Sequence, residues 1–486
     1  MKIEEIYIDG YKNIRKTKLA FSETQMIVLL AENNYGKTNL LCGILEGFQI
    51  LRRQGSSSVD FIKSQRFTSV FEQEPNKKTR FTFKVKFKKK KLISIDNNLE
   101  EDNHSDDIYC YELIIDPNEP TGKDEFDEKM DNNYAESRTM IGIVKEELYI
   151  DKPEGKYWLF KRDKCSNYAT VHLNGLDNKK GKRYSIYSKS IEKYTHISSI
   201  PHHSLRLFLH QFGNRPSPED CNIENDLLET LHKIYGAYIS LTNDRIGKII
   251  IDENADLNNI EELQKELIDL EKNEFKQVAE DMKFLYGFTE MTRSCCNELP
   301  CTKDRETCPH KISIVRFRND QNPIYEKLNT VSYGVRRMLK ILVRIYSNKT
   351  PLITIECFEN GIHENLSLRA LITLQKAIKY CCENKPNNIT NLIITSHSSA
   401  IVQCFTKGMF TIEPKDENKM SSLYFGVPYE SNNRNARFAR LTDDGIKETM
   451  EAVDKYGAKD VTSFINSHYS VDIFSKNLIE MLQEPT

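Results

Sequence analysis

The sequence predicts an α/β fold in which a largely parallel sheet is divided by a long insertion. A wholly apolar run, "MIVLL" at 26–30, leads into a loop and then into "TNLLCGILEGFQIL", whose apolar residues recur near every 3.6 positions. From residue 312 onward, apolar strands and amphipathic helices alternate, as they do where parallel strands are joined by crossover helices. The residues between follow neither pattern, so the first and last pieces read as halves of one domain.

The elements follow in order. "KIEEIYIDGYKNI" alternates through Ile3, Ile6 and Ile8 and breaks at Gly10, a strand and a turn. "MIVLL" suits a strand buried on both faces. In residues 79–95, "TRFTFKVKFKKKKLISI", Phe81, Phe83, Val85 and Phe87 face one way and Lys84, Lys86 and Lys88 the other. That strand reads either as a solvated edge blunted by lysines or as a strip contacting nucleic-acid phosphates. Residues 96–136 are acidic and rich in turn residues, and read as loops. Residues 140–200 read as short strands around the single Trp158. Helical spacing dominates 225–285, with Ile260, Leu263, Leu267, Leu270, Val278 and Leu285 near heptad positions. This is one long helix, either a short coiled-coil arm or a helix packed on its own domain.

Beyond 312, "ISIVRFR", "PLITIECFENGIH" and "NLIITSHSSAIVQ" contain strands, while "YGVRRMLKILVRIYS" and "LRALITLQKAIKYC" are helices. The expected domains are 1–95 and 312–412 as two parts of one head, 96–220 as a strand-rich insertion, 221–311 as a helical arm, and 413–486 as an extension.

Bulk properties exclude several classes. The net charge of −2 rules out a polycation, so any nucleic-acid contact has to be local. No apolar run reaches the ~18 residues a membrane span needs. The acidic, alternating start is unlike a signal peptide. The twelve cysteines read as reduced thiols of a cytoplasmic protein, with or without a metal cluster.

The loop after the first apolar run, "AENNYGKT" at 31–38, matches G-x-x-x-x-G-K-[ST] except at Ala31. In such a loop backbone N–H groups and a helix N-terminus hold phosphate. The lysine reaches the terminal phosphates and the hydroxyl binds Mg²⁺. The assignments are Asn33, Asn34, Tyr35, Gly36, Lys37 and Asn39 for ATP, with Thr38 as a ligand of both ATP and magnesium. The extra methyl at Ala31 is tolerable where φ is negative.

With "ENGIH" and "IITSHS" far downstream and Asn39 directly after the Lys-Thr pair, the chain resembles the ABC-type ATPases of the RecF/SMC branch. It is closest to the AAA15/OLD-like group of prokaryotic anti-phage defence. The resemblance covers about residues 1–90 and 320–450 and implies an ABC-type ATPase head. It also implies further site residues. Glu356 falls where the magnesium carboxylate stands. Cys357 falls on the glutamate that polarises water, which a thiol cannot replace, so hydrolysis should be slow or absent. Glu359, two residues beyond, is the carboxylate that could substitute for that glutamate. Ser332 and Gly334 match the signature that caps the γ-phosphate of a second protomer's ATP. Arg336 and Arg337 after them read as surface or interface residues. His397 matches the switch histidine. The 298 positions between Gly36 and Gly334 argue against a transporter subunit.

Cys295, Cys296, Cys301, Cys308 and His310 lie within 16 residues. They read either as a structural zinc site or as free thiols in a loop, since the spacing fits no standard finger. Residues 413–486 are few for a nuclease domain, so any nuclease would be a separate effector chain. The expected function is an ATP-dependent homodimer or higher homo-oligomer that switches or scaffolds such an effector. The alternatives are a RecF-like repair ATPase that contacts DNA and a protein with a vestigial site. No membrane partner is expected.

Overall fold

The structure is a computed structural model, and it describes residues 2–21, 25–31, 36–52, 80–88, 107–116, 143–153, 155–163, 170–172, 183–185, 237, 247–249, 260–287, 290–294, 311–318, 322–328, 330–385, 390–397, 421–429 and 435–440. In chain order the elements are β1 (Lys2–Asp9), β2 (Thr17–Ala20), β3 (Met26–Leu30), α1 (Lys37–Arg52), β4 (Phe81–Lys88), β5 (Ile108–Ile115), β6 (Ile143–Lys152), β7 (Gly155–Asp163), β8 (Thr170–His172) and β9 (Arg183–Ser185). There follow β10 (Gly247–Ile249), α2 (Ile260–Asp269), α3 (Lys272–Tyr286), β11 (Glu290–Ser294), β12 (Lys311–Arg318), β13 (Asn322–Lys327), α4 (Tyr333–Ser347), β14 (Leu352–Ile355), α5 (Glu364–Asn384), β15 (Asn391–Thr395), β16 (Ser421–Pro428) and β17 (Ala436–Arg440). Two compact units contain them. The first is built from Met1–Ser22, Ala31–Ile246 and Phe425–Tyr456, the second from Glu23–Leu30, Gly247–Tyr424 and Gly457–Thr486.

The first unit holds an eight-stranded sheet in the order β2-β1-β4-β5-β6-β7-β8-β9, antiparallel throughout. The uneven spacing of Ile3, Ile6 and Ile8 has a physical cause. A register shift between Ile3 and Glu5 lets all three pair with the buried face of β4, opposite Phe87, Val85 and Phe83. Those six side chains are at most 1% exposed. Helix α1 lies close to this region because it presents glycine. A β-carbon on Gly47 would sit 2.3 Å from the Phe83 ring, and one on Gly43 3.0 Å from Tyr11. Phe48 and Phe83 meet edge-on at 5.1 Å.

The lysine strand departs from the edge reading. β4 is no edge, since it is flanked by β1 and β5. Its lysines are ion-paired across strands: Lys84 with Glu112 at 3.5 Å and Lys86 with Asp151 at 2.9 Å. Lys145 on β6 continues the ladder to Glu112 and Glu147. Lys84 and Lys86 are thus each paired with a carboxylate on another strand, the stabilising unit of a sheet face, while Lys89, Lys90 and Lys91 lie outside the described residues.

The second unit contains the parallel core. β10, β14, β15 and β3 pair in that order, all parallel, with β16 on the far side of β3. Every residue of β3, β14 and β15 is buried, as continuous apolar runs in a covered sheet should be. The mixed α/β fold with a largely parallel sheet is thus the one expected. β10 is a correction, because "GKI" forms a strand inside a stretch that reads as helical. The long helix expected over 260–285 is two helices, parted at Leu270 and Glu271. α3 packs on α4 and α5, burying Val278, Met282 and Leu285, so packing on its own unit describes it and a projecting arm does not. Its first turn is tied to the end of α5. The Glu274 carboxylate, 4% exposed, accepts from the Glu271 N–H at 3.1 Å and from the Lys385 ammonium. A three-stranded antiparallel sheet, β11-β12-β13, completes the unit. Among the described residues no helix is long and apolar enough to cross a membrane.

Candidate functional site

The phosphate-loop candidate leaves the sheet at Leu30, the last residue of β3. Ala31 is buried and adopts no positive φ. Its methyl group has a niche, because a β-carbon on Gly426 would lie only 2.6 Å from it. The glycine missing from position 31 is thus matched by one at 426. Glu32, Asn33, Asn34 and Tyr35 lie outside the described residues. The one glycine that cannot be replaced in the described loop is Gly36, at φ +91. A β-carbon there would meet the Asn13 side chain at 2.5 Å. The Gly36 carbonyl accepts from the Leu40 N–H at 2.8 Å and so opens α1.

Lys37 is buried and donates from Nζ to the Ala31 carbonyl at 2.5 Å, which closes the loop on itself. Thr38 is exposed on the first turn of α1. Asn39 donates to Asn13 Oδ1 at 2.7 Å and accepts from Lys12 Nζ at 3.2 Å. Asn13, absent from the sequence-derived set, is fully buried, and its Nδ2 has no hydrogen-bond partner among the described residues. A buried donor beside the loop, a helix N-terminus and a lysine together suit a bound phosphate. The only sequence signal for Asn13 is the "YKNI" turn after β1, which by itself names no role.

In the second unit, β3, β15 and β14 are adjacent parallel strands. Leu30, Glu356 and His397 therefore stand at or just past the C-terminal ends of three neighbouring strands, the edge where open α/β sheets bind ligands. Glu356 is half-exposed directly after β14. The turn that follows is pinned to the end of β15. The Cys357 N–H donates to Thr395 Oγ1 at 2.8 Å, and the Phe358 N–H donates to the Thr395 carbonyl at 2.9 Å. Cys357 itself sits at φ +47, a conformation unusual for a residue bearing a β-carbon.

Glu359 is the carboxylate that the sequence offers as a substitute for the missing one. Its oxygens accept from Ser396 Oγ at 2.9 Å and from the His397 backbone N–H at 2.8 Å. It holds the main chain of His397, whose side chain is exposed.

The signature candidate begins at Ser332, which is exposed in extended backbone and makes no side-chain cap on α4. Gly334 is buried. A β-carbon on it would lie 1.8 Å from the Gly361 carbonyl oxygen, so α4 rests directly on the turn after β14. Tyr286 adds a hydrogen bond from its hydroxyl to the Gly334 carbonyl at 3.1 Å.

Arg337 overturns the surface expectation, since it is fully buried. It donates to the carbonyls of Glu356 and Cys357, each at 2.8 Å, and to that of Asn360. Burial lowers its pKa, while Tyr333, Glu359, Cys357 and Tyr286 act the other way. Arg336 stays half-exposed. Helical periodicity hides this difference, because the acceptors lie some twenty residues downstream.

Thr38 in the first unit and Glu356 in the second each carry an oxygen donor, the kind that magnesium prefers. Cys295, Cys296, Cys301, Cys308 and His310 lie outside the described residues. Among the described residues no group of three His, Cys, Asp or Glu side chains is placed to hold a metal.

No protein-family model and no curated protein matches the chain. Among solved structures it is similar to the SMC head domain from Thermotoga maritima, with 10% identity and a TM-score of 0.40 over 91% of this chain and 100% of that one. It is similar to an SMC head bound to the C-terminal winged-helix domain of ScpA, at 9% and 0.38 over 91% and 98%. It is also similar to an Smc head with an extended coiled coil bound to the C-terminal domain of ScpA derived from Pyrococcus furiosus, at 10% and 0.38 over 93% and 100%.

Proposed function

We propose that the chain is a cytoplasmic ATP-binding protein of the ABC-ATPase type, a nucleotide-dependent dimerising switch with slow or absent hydrolysis. The observation that carries this reading is the shared C-terminal edge of β14, β15 and β3, where Glu356, the His397 segment and Leu30, the residue before the 31–38 loop, stand. In this reading the loop and Lys37 bind the β- and γ-phosphates, with Thr38 and Glu356 on magnesium. Ser332 at the start of α4 meets the nucleotide of a second copy. Cys357 stands where water activation needs a carboxylate, so ATP acts chiefly by stabilising the assembly through mass action. The effector is a separate protein, a nuclease of prokaryotic anti-phage defence, an assignment that rests on the family resemblance alone. The paired lysines of β4 give a DNA-repair reading no support.

The test is sedimentation of the full chain with Mg²⁺, with and without ATP, beside a fluorescent-nucleotide titration. ATP should convert monomer to dimer or larger, and Lys37→Ala should abolish both binding and conversion. Equal nucleotide affinity in wild type and Lys37→Ala would end this reading.

A further inference from the structure

Arg337 has no place in the nucleotide scheme so far, yet it is the largest fully buried side chain among the described residues. A buried cation is expensive without matched partners, and helix packing alone would be served by an aliphatic residue. Here the partners are three main-chain carbonyls of one turn, those of Glu356, Cys357 and Asn360. In extended backbone successive carbonyls point to opposite sides, whereas here the chain turns at Cys357, with a left-handed φ of +47, and two of them meet one cation. Such a conformation persists only where its surroundings over-determine it. Three further hydrogen bonds help: Cys357 N–H to Thr395 Oγ1 at 2.8 Å, Phe358 N–H to the Thr395 carbonyl at 2.9 Å, and Asn360 N–H to the Cys357 carbonyl at 2.9 Å. The folded turn then delivers both oxygens of Glu359 to Ser396 and the His397 backbone.

We infer that Arg337 is a positioning residue, an internal cation that folds the Glu356–Asn360 turn so that Glu356 is presented to magnesium and Glu359 holds the His397 main chain. The role rests on the nucleotide reading above. It acts through backbone carbonyls and needs no contact between Arg337 and nucleotide. Groups that orient a metal ligand from behind typically change metal-linked affinity by ~10–100-fold when removed.

The experiment titrates a fluorescent ATP analogue into the full-length chain, once with excess Mg²⁺ and once with EDTA. In wild type, magnesium should tighten binding. Arg337→Gln should keep its EDTA affinity within about twofold and lose about tenfold of the magnesium-dependent tightening. Arg337→Lys, which keeps the charge but not the fork, should fall between. Should Arg337→Gln not fold, Thr395→Val tests the same turn. It is close in shape, removes the hydroxyl that accepts from the Cys357 N–H, and should show the same magnesium-selective loss. Equal losses in both arms would mark a merely structural arginine and overturn the role, as would full magnesium tightening in Arg337→Gln or Thr395→Val. A wild type that binds nucleotide in neither arm overturns the nucleotide reading itself, and this role with it.

Discussion

Ala31 and Gly426 show how a single methyl group can move between two positions. The methyl group that departs from the phosphate-loop pattern occupies space that a β-carbon at 426 would need, the two being 2.6 Å apart. Phe438 closes the other side at 3.1 Å. Gly426→Ala should therefore overpack the site and destabilise by about 1–3 kcal/mol. Ala31→Gly alone should destabilise by no more than about 1 kcal/mol, mainly through added freedom of the unfolded chain. Combined, the two should recover most of the Gly426→Ala loss, a coupling readable as a double-mutant cycle in urea unfolding. Additive losses would mean that the two side chains do not share one niche. Ala31 was visible in the sequence as a departure, but its partner was not, because nothing local links positions 31 and 426.

At the scale of elements, the α3–α4 interface carries a buried acid. Asp281 accepts a hydrogen bond from the Tyr346 hydroxyl at 2.6 Å. Burial pushes its pKa up from 3.8 to about 6, against the lowering effects of Tyr346 and Lys376. Between those values the folded chain holds a proton that the unfolded chain has released, so this group's contribution to stability falls as pH rises from about 4 to about 6. Asp281→Asn keeps an acceptor for Tyr346 and loses the titration. It should match wild type near pH 4, exceed it by ~1–2 kcal/mol at pH 7, and flatten the slope between. Melting curves at steps from pH 4 to 8 would check this, and a variant less stable than wild type at pH 7 would contradict it.

The elements differ in how far the sequence announced them. β3, α1, α4, β14, α5 and β15 carry unbroken apolar runs or clear helical stripes and were legible. β10 is three residues long, too short for any period to register, and its pairing with β14 is a long-range choice. The division of α2 from α3 was hidden by heptad spacing that continues through Leu270.

For the whole molecule, the α/β class and the long insertion were readable. The division into two units, between which the chain crosses at several places, one of them between Leu30 and Ala31, was not, since continuous chain carries no mark of compactness. The largest functional question at this scale is whether assembly and hydrolysis are separable. Cys357→Glu should raise ATP turnover by at least about tenfold and shorten the lifetime of the ATP-bound assembly. No added backbone strain is expected, because Cys357 already carries a β-carbon at its left-handed φ of +47. Turnover measured beside a Lys37→Ala, Cys357→Glu double variant separates true activity from background, and an unchanged rate would count against placing Cys357 at the water-activating position.

The close approach of Gly334 to Gly361 bears on how this chain could diverge. A side chain at 334 collides with a main-chain oxygen, which no exchange at 361 can take away. A side chain at 361 meets Tyr333 and an unfavourable φ of +74. Each position is closed on its own account, and neither opens when the other changes. Glycine would therefore persist at 334 in descendants that had lost every affinity for nucleotide, so its retention there testifies to helix seating before it testifies to chemistry.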